Sequence, residues 1–129
     1  MESLLDLEKP YRDLLGFMQA RVRERIGLGM EIDAAATTAI EALRAQLVAP
    51  QALDLKTSQL IAFGILLVNL SQAAENHALA ALRAGASAEE LHAAAGIAFL
   101  FRGLPAINLA GEVLRAALLK HQAGGSGGR

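Results

Sequence analysis

Nine consecutive apolar residues, Leu60 to Val68, lie near the middle of the chain. Such a run offers no polar residue to solvent, yet it is far short of the ~20 residues that a membrane span needs. It reads as a helix buried on all sides, against which the other segments must pack. The stretch around it, Leu53 to Pro105, is punctuated by helix signals. Asp54 can cap the start, Gly85 suits a left-handed stop, Ser87-Ala88-Glu89-Glu90 forms a capping box, and Gly103-Leu104-Pro105 makes a break.

The flanking segments carry helical spacing as well. Tyr11, Leu14, Leu15, Met18, Val22 and Ile26 recur at three- and four-residue steps, which predicts one helix from about residue 3 or 10 to 26. Pro10 would then sit in its first turn, and Gly27 and Gly29 would end it. Asp33 predicts a second helix over about 34–47, with Ile40, Leu43 and Leu47 on one face and Pro50 beyond its end. The third covers about 55–70, and Gly64 within it suggests a close helix crossing. Further helices are expected at about 71–84, 88–102 and 105–121. No segment alternates with period two. The fold class is therefore all-α, about six helices, in a single domain over residues 1–122, with AGGSGGR (123–129) a flexible tail.

Composition narrows the function. Hydrophobic residues make up 53 % of the 129 and charged residues 19 %, more apolar surface than a small monomer readily hides, so a homo-oligomer is expected. A net charge of −1 gives no footprint for nucleic acid. The Arg21/Arg23/Arg25 run is diluted by Glu24 and Glu31 and reads as a solvated helix face. With no cysteine, disulfides, thiolate ligands and thiol redox cycles are excluded. The opening MESLLDLEKP carries acids where a signal peptide carries bases, which points to the cytoplasm with no membrane partner.

Leu53-Asp54-Leu55-Lys56-Thr57, then His77 with Gly85 eight residues on, then Ser87/Glu89/Glu90, then Gly103 and Pro105 stand in an order and spacing that resemble the carboxymuconolactone decarboxylase family and its alkylhydroperoxidase-D-like relatives. The resemblance covers roughly residues 53 to 118. It implies an all-helical protomer assembling into trimers or hexamers, and a cofactor-free lyase acting on a small carboxylic acid or lactone. The peroxidase branch resembles Cys-x-x-Cys-x-x-x-His, which would place cysteines at Leu70 and Ala73, so that chemistry is absent here. Where the family often has glutamates, this chain has Gln59 and Ala93, and Gln59 to His77 is about one residue short. A ligand-binding or assembly protein that kept the scaffold without the chemistry is the alternative.

His77 is the first candidate for general acid/base work, since imidazole titrates near pH 6.5 and its helix otherwise offers alanine and leucine. The competing account is a histidine on a partly exposed face. Glu75 is a second catalytic candidate, although two residues along a helix place it about 200° from His77. Gln59, Asn69, Gln72 and Arg102 are candidates for holding a carboxylate or carbonyl. The amides could equally be satisfied hydrogen-bonders, and Arg102 could simply serve the helix dipole. His92 and His121 read as solvent-facing. The three histidines are far apart and none pairs at i, i+4, so no metal site is expected.

Overall fold

In the computed structural model, which describes residues 3–127, Gly16 rather than Gly27 ends the first helix. Ser3 and Asp6 close a capping box at the start of α1 (Leu4–Leu15), and Gly16 at φ 87° caps its end, its amide donating to the Arg12 carbonyl at 2.8 Å. The apolar stripe read as one helix is thus shared by two. Pro10 lies inside α1, where its missing N–H leaves one carbonyl without a helical donor. Helix α2 (Ala20–Ile32) runs through Gly27 and Gly29, and Asp33 both ends it and caps α3 (Ala34–Val48) by accepting from the Ala36 amide at 3.0 Å.

The chain forms two compact units, Met1–Pro50 and Gln51–Arg129. In the first, Leu7, Tyr11 and Ile26 are buried with Met18, Val22 and Met30 against them. Its interior is also polar. The Glu8 carboxylate, buried beneath α1, takes Arg12 at 2.7 Å and Arg23 at 3.1 Å. The Arg23 and Arg12 hydrogen bonds hold that carboxyl below its ordinary pKa. Tyr11 donates its hydroxyl to Glu41 Oε1 at 2.5 Å and accepts from Arg25 at 3.0 Å, while Arg44 stacks 3.9 Å over its ring. Arg25 also lies 2.8 Å from Glu41 Oε2, out of hydrogen-bond alignment, so that contact is chiefly one of charge.

Arg23 and Arg25 stay about half exposed, as a solvated face would be, and each reaches a buried carboxylate from there. On α3 the inward stripe is Thr37, Glu41 and Arg44, while Ile40, Leu43 and Leu47 are exposed. Both stripes repeat at helical spacing, and the partners offered by Tyr11 select the polar one.

The second unit comprises α4 (Leu55–Val68), α5 (Ala74–Arg83), α6 (Ala88–Arg102) and α7 (Leu104–Gly127). The chain is all-helical, with seven helices rather than about six and no strand among the described residues. Helix α4 packs against α5 and α6, and α7 closes on the same two. Asp54 accepts from the Thr57 amide at 2.7 Å, and Ser87 and Glu90 form the expected capping box. Gly85 and Gly103 hold positive φ. Phe63, Leu67, Leu79, Leu82, Leu91 and Val113 supply the large buried side chains, set among alanines of α5, α6 and α7.

Two boundaries differ from the reading of the sequence. Between α4 and α5, Leu70 adopts φ 52°, a position that normally takes glycine, and the Ser71 amide reaches back to the Leu66 carbonyl at 2.9 Å. A leucine held there costs roughly 1–2 kcal/mol. Helix α7 is continuous from Leu104 past His121 to Gly127; residues 128 and 129 of the expected tail lie outside those described. Among the described residues no helix is long and apolar enough to cross a membrane.

A Cβ on Gly29 would lie 2.4 Å from Thr37 Oγ1, whereas a Cβ on Gly27 would meet nothing within 4 Å. Thr37 is β-branched and bonded to the Asp33 carbonyl, so it cannot turn aside freely. Gly29→Ala should therefore destabilise by about 1–3 kcal/mol, and Gly27→Ala should stabilise by about 0.5–1 kcal/mol, read from chemical denaturation midpoints. Burial first, and the Glu41 hydrogen bond second, raise the Tyr11 pKa. The folded state thus keeps a proton the unfolded chain releases, and that stability, complete below about pH 10, is lost as pH rises through the folded value. As the single tyrosine in a chain without tryptophan, Tyr11 can be titrated by ultraviolet absorbance. Its midpoint should lie above the ordinary value and fall in Glu41→Gln.

Candidate functional site

Four residues after the Leu55 that begins α4, Gln59 points into the bundle and is wholly buried. From the first turn of α5, half-buried His77 meets it: Nδ1 is 2.7 Å from Gln59 Oε1. The direction of this bond follows from its neighbours. Ser58 Oγ donates to the Leu55 carbonyl at 2.9 Å, one helical turn back, and therefore accepts from Gln59 Nε2 at 3.3 Å. That orientation turns Oε1 toward the imidazole, and an amide oxygen can only accept. Nδ1 must then carry the proton. In the neutral ring Nε2 holds the lone pair, which makes it the nitrogen able to take or give a proton in catalysis.

The corner at Leu70 makes the contact possible. It turns the chain sharply enough for two residues 18 apart in sequence to share one hydrogen bond. Sequence reasoning named both as separate candidates and did not pair them. It missed Ser58 altogether, although a serine in a first turn readily bonds back to a carbonyl and so can pass orientation to its neighbour.

Two of the other candidates have partners of their own, and two are exposed. Glu75 forms an ion pair with Lys120 of α7, across the two helices. Asn69 donates its side-chain amide to the Ile65 carbonyl at 3.1 Å and satisfies the end of α4. Gln72 is exposed in the corner, and Arg102 is exposed in the last turn of α6. His92 is exposed and His121 half-buried, and no group of three metal-ligating side chains occurs among the described residues.

Gly64 does not mark a forced helix crossing. A Cβ there would sit 3.8 Å from the Ala94 carbonyl, an ordinary contact. It lies instead along an apolar groove of about 550 Å³ between α4 and α6, lined by Thr57 and Glu90 at one end and by Ile61, Ile65, Ile97 and Phe101 along its length. His77 is not part of that lining, so this groove and the imidazole are separate features of the unit. Lys56, 3.0 Å from Glu90, bridges the starts of α4 and α6.

Replacing Gln59 with leucine removes the acceptor that selects the Nδ1–H form. In Gln59→Leu the imidazole nitrogen shifts should move toward the tautomer mixture of a free histidine, and stability should fall by about 1–3 kcal/mol as buried polar groups lose a partner. Nitrogen-15 NMR of the His77 ring and a denaturant melt read the two effects; an unchanged tautomer would contradict the assigned direction of the bond.

Comparison with known proteins places this geometry in context. The carboxymuconolactone decarboxylase family matches residues 34–116. A crystal structure from Burkholderia xenovorans LB400, of a protein whose given name proposes a carboxymuconolactone decarboxylase, superposes with a TM-score of 0.74 over 98 % of this chain and 99 % of that one. At 20 % identity that likeness concerns the fold. No curated protein matches the sequence.

Proposed function

Because the chain belongs to the carboxymuconolactone decarboxylase family, we propose that it is a cofactor-free lyase acting on a small carboxylic acid or lactone, with His77 as its general acid/base. The observation that carries this reading is the 2.7 Å contact between His77 Nδ1 and the buried Gln59 amide. A histidine that moves protons needs a fixed tautomer and a fixed ring plane.

The chemistry is simple to balance. In a carboxylate whose carbon–carbon bond lies next to an unsaturated lactone, that bond breaks, carbon dioxide leaves, and the electron pair passes into the conjugated carbonyl as an enolate. Imidazolium Nε2–H then delivers a proton to carbon, leaving neutral imidazole that is recharged from solvent. Run without loss of carbon dioxide, the same proton transfers would isomerise a double bond. Gln59 is neutral, so it holds the ring without adding the full negative charge that a glutamate would place beside an imidazolium. Glu75 pairs with Lys120, and this step is written without it. With no cysteine in the chain, peroxide reduction by a thiol pair is not available.

A binding or assembly role on the same scaffold is the second reading, and the groove between α4 and α6, which His77 does not line, favours it. The two separate in one experiment. A thermal-shift panel of small carboxylates and lactones, 4-carboxymuconolactone included, is run on wild type and His77→Ala, and each hit is followed for release of carbon dioxide. The enzyme reading expects turnover in wild type and a loss of about 10²–10⁴-fold in the variant. Hits that bind both proteins equally and never react would sink it.

A further inference from the structure

The contact between Gln59 and His77 is one end of a longer chain of hydrogen bonds that begins on the backbone of α4. The Leu55 carbonyl accepts from Ser58 Oγ at 2.9 Å, Ser58 Oγ accepts from Gln59 Nε2 at 3.3 Å, and Gln59 Oε1 accepts from His77 Nδ1 at 2.7 Å. Both middle members are reversible. A hydroxyl donates and accepts, and a glutamine amide offers an acceptor at one end and donors at the other. Turned over together, they would make a continuous chain of opposite polarity. Ser58 would donate to Gln59 Oε1, Gln59 Nε2 would donate to His77 Nδ1, and the imidazole proton would sit on Nε2. His77 would then present an N–H where a base needs a lone pair.

The far end of the chain cannot reverse, because a backbone carbonyl only accepts. In the observed polarity the Ser58 hydroxyl makes two bonds, one to Leu55 and one from Gln59. In the opposite polarity its one proton goes to Gln59 and the Leu55 bond is lost. Ser58 is 8 % exposed and Gln59 is wholly buried, so little water is at hand to replace that bond. One neutral hydrogen bond corresponds to a bias of about 2- to 13-fold between the two polarities. The serine is itself held in place locally. Asp54 caps α4 by accepting from the Thr57 amide at 2.7 Å, and its carbonyl takes the Ser58 amide at 3.0 Å. The first turn of α4 thus carries the polarity that reaches the ring.

We propose that Ser58 is a positioning residue of the site: through the Gln59 amide it keeps the lone pair on His77 Nε2. Its place in a reaction rests on His77 being the general acid/base, but the polarity itself can be measured with no substrate present.

Nitrogen-15 NMR of the histidine rings tests it on the full chain at about pH 8.5, two units above the ordinary histidine value, where the ring is neutral. The His77→Ala spectrum identifies the His77 signals. Wild type should show chiefly the Nδ1–H form. Ser58→Ala and Ser58→Val should lower the ratio of Nδ1–H to Nε2–H by about 2- to 13-fold, with helical circular dichroism unchanged. Ser58→Thr, which matches valine in shape and restores the hydroxyl, should return the wild-type ratio. On any lactone that wild type converts, kcat should follow the Nδ1–H fraction while KM stays unchanged. A mixture of forms in wild type overturns the proposal. So does a wild-type ratio in Ser58→Ala, even with a lowered melting temperature, since that is the mark of a structural role alone. A Ser58→Thr ratio equal to that of Ser58→Val overturns it as well. If Ser58→Val fails to fold, Ser58→Ala decides. Ratios that move as expected in a protein that converts no lactone support the role of Ser58 in setting the ring and count against the enzyme reading alone.

Discussion

The second unit depends on how little volume its buried positions contain. Ala74, Ala78 and Ala81 on α5, Ala95 and Ala98 on α6, and Ala106, Ala110 and Ala117 on α7 bring the helices close together, and only a few large side chains fit among them. Close approach favours dispersion contacts and loses little side-chain entropy on ordering. It also leaves no room for the remaining isoleucines, leucines and phenylalanines, which are displaced outward. The 53 % hydrophobic content and the exposed α4/α6 face therefore have one cause.

The first unit solves the opposite problem. Its three helices bury few apolar side chains and secure themselves with carboxylates placed among arginines. Glu8 and Glu41 are both almost wholly buried, and each is met by cations from neighbouring turns or helices. Such clusters stabilise only when every member is present, because removing one partner strands a charge. That coupling explains why α3 turns its leucines outward instead of burying them.

Local signals in the sequence were legible wherever the responsible physics is local. Asp33, Asp54 and the Ser87/Glu90 box act within a single turn, and each caps the helix it was read to cap. Glycines were harder. Gly16 ends a helix and Gly27 and Gly29 do not, because the sign of φ is set by the surroundings of the residue and not by its identity. The inward face of α3 was ambiguous, since two stripes have equal periodicity and the choice rests with Tyr11, 30 residues from Glu41. At the candidate site the residue types were visible but not their pairing. Gln59 and His77 meet only because a leucine accepts a glycine's conformation at the corner between them, and nothing in composition or spacing announces that.

The corner at Leu70 gives this connection a meaning of its own. Helix α5 begins only a few residues after it, so the direction in which the chain leaves this corner decides which side of α5 is turned to Gln59. The left-handed leucine thus belongs to the site although it touches neither side chain of the pair: the backbone torsion of an apolar residue sets the aim of the imidazole.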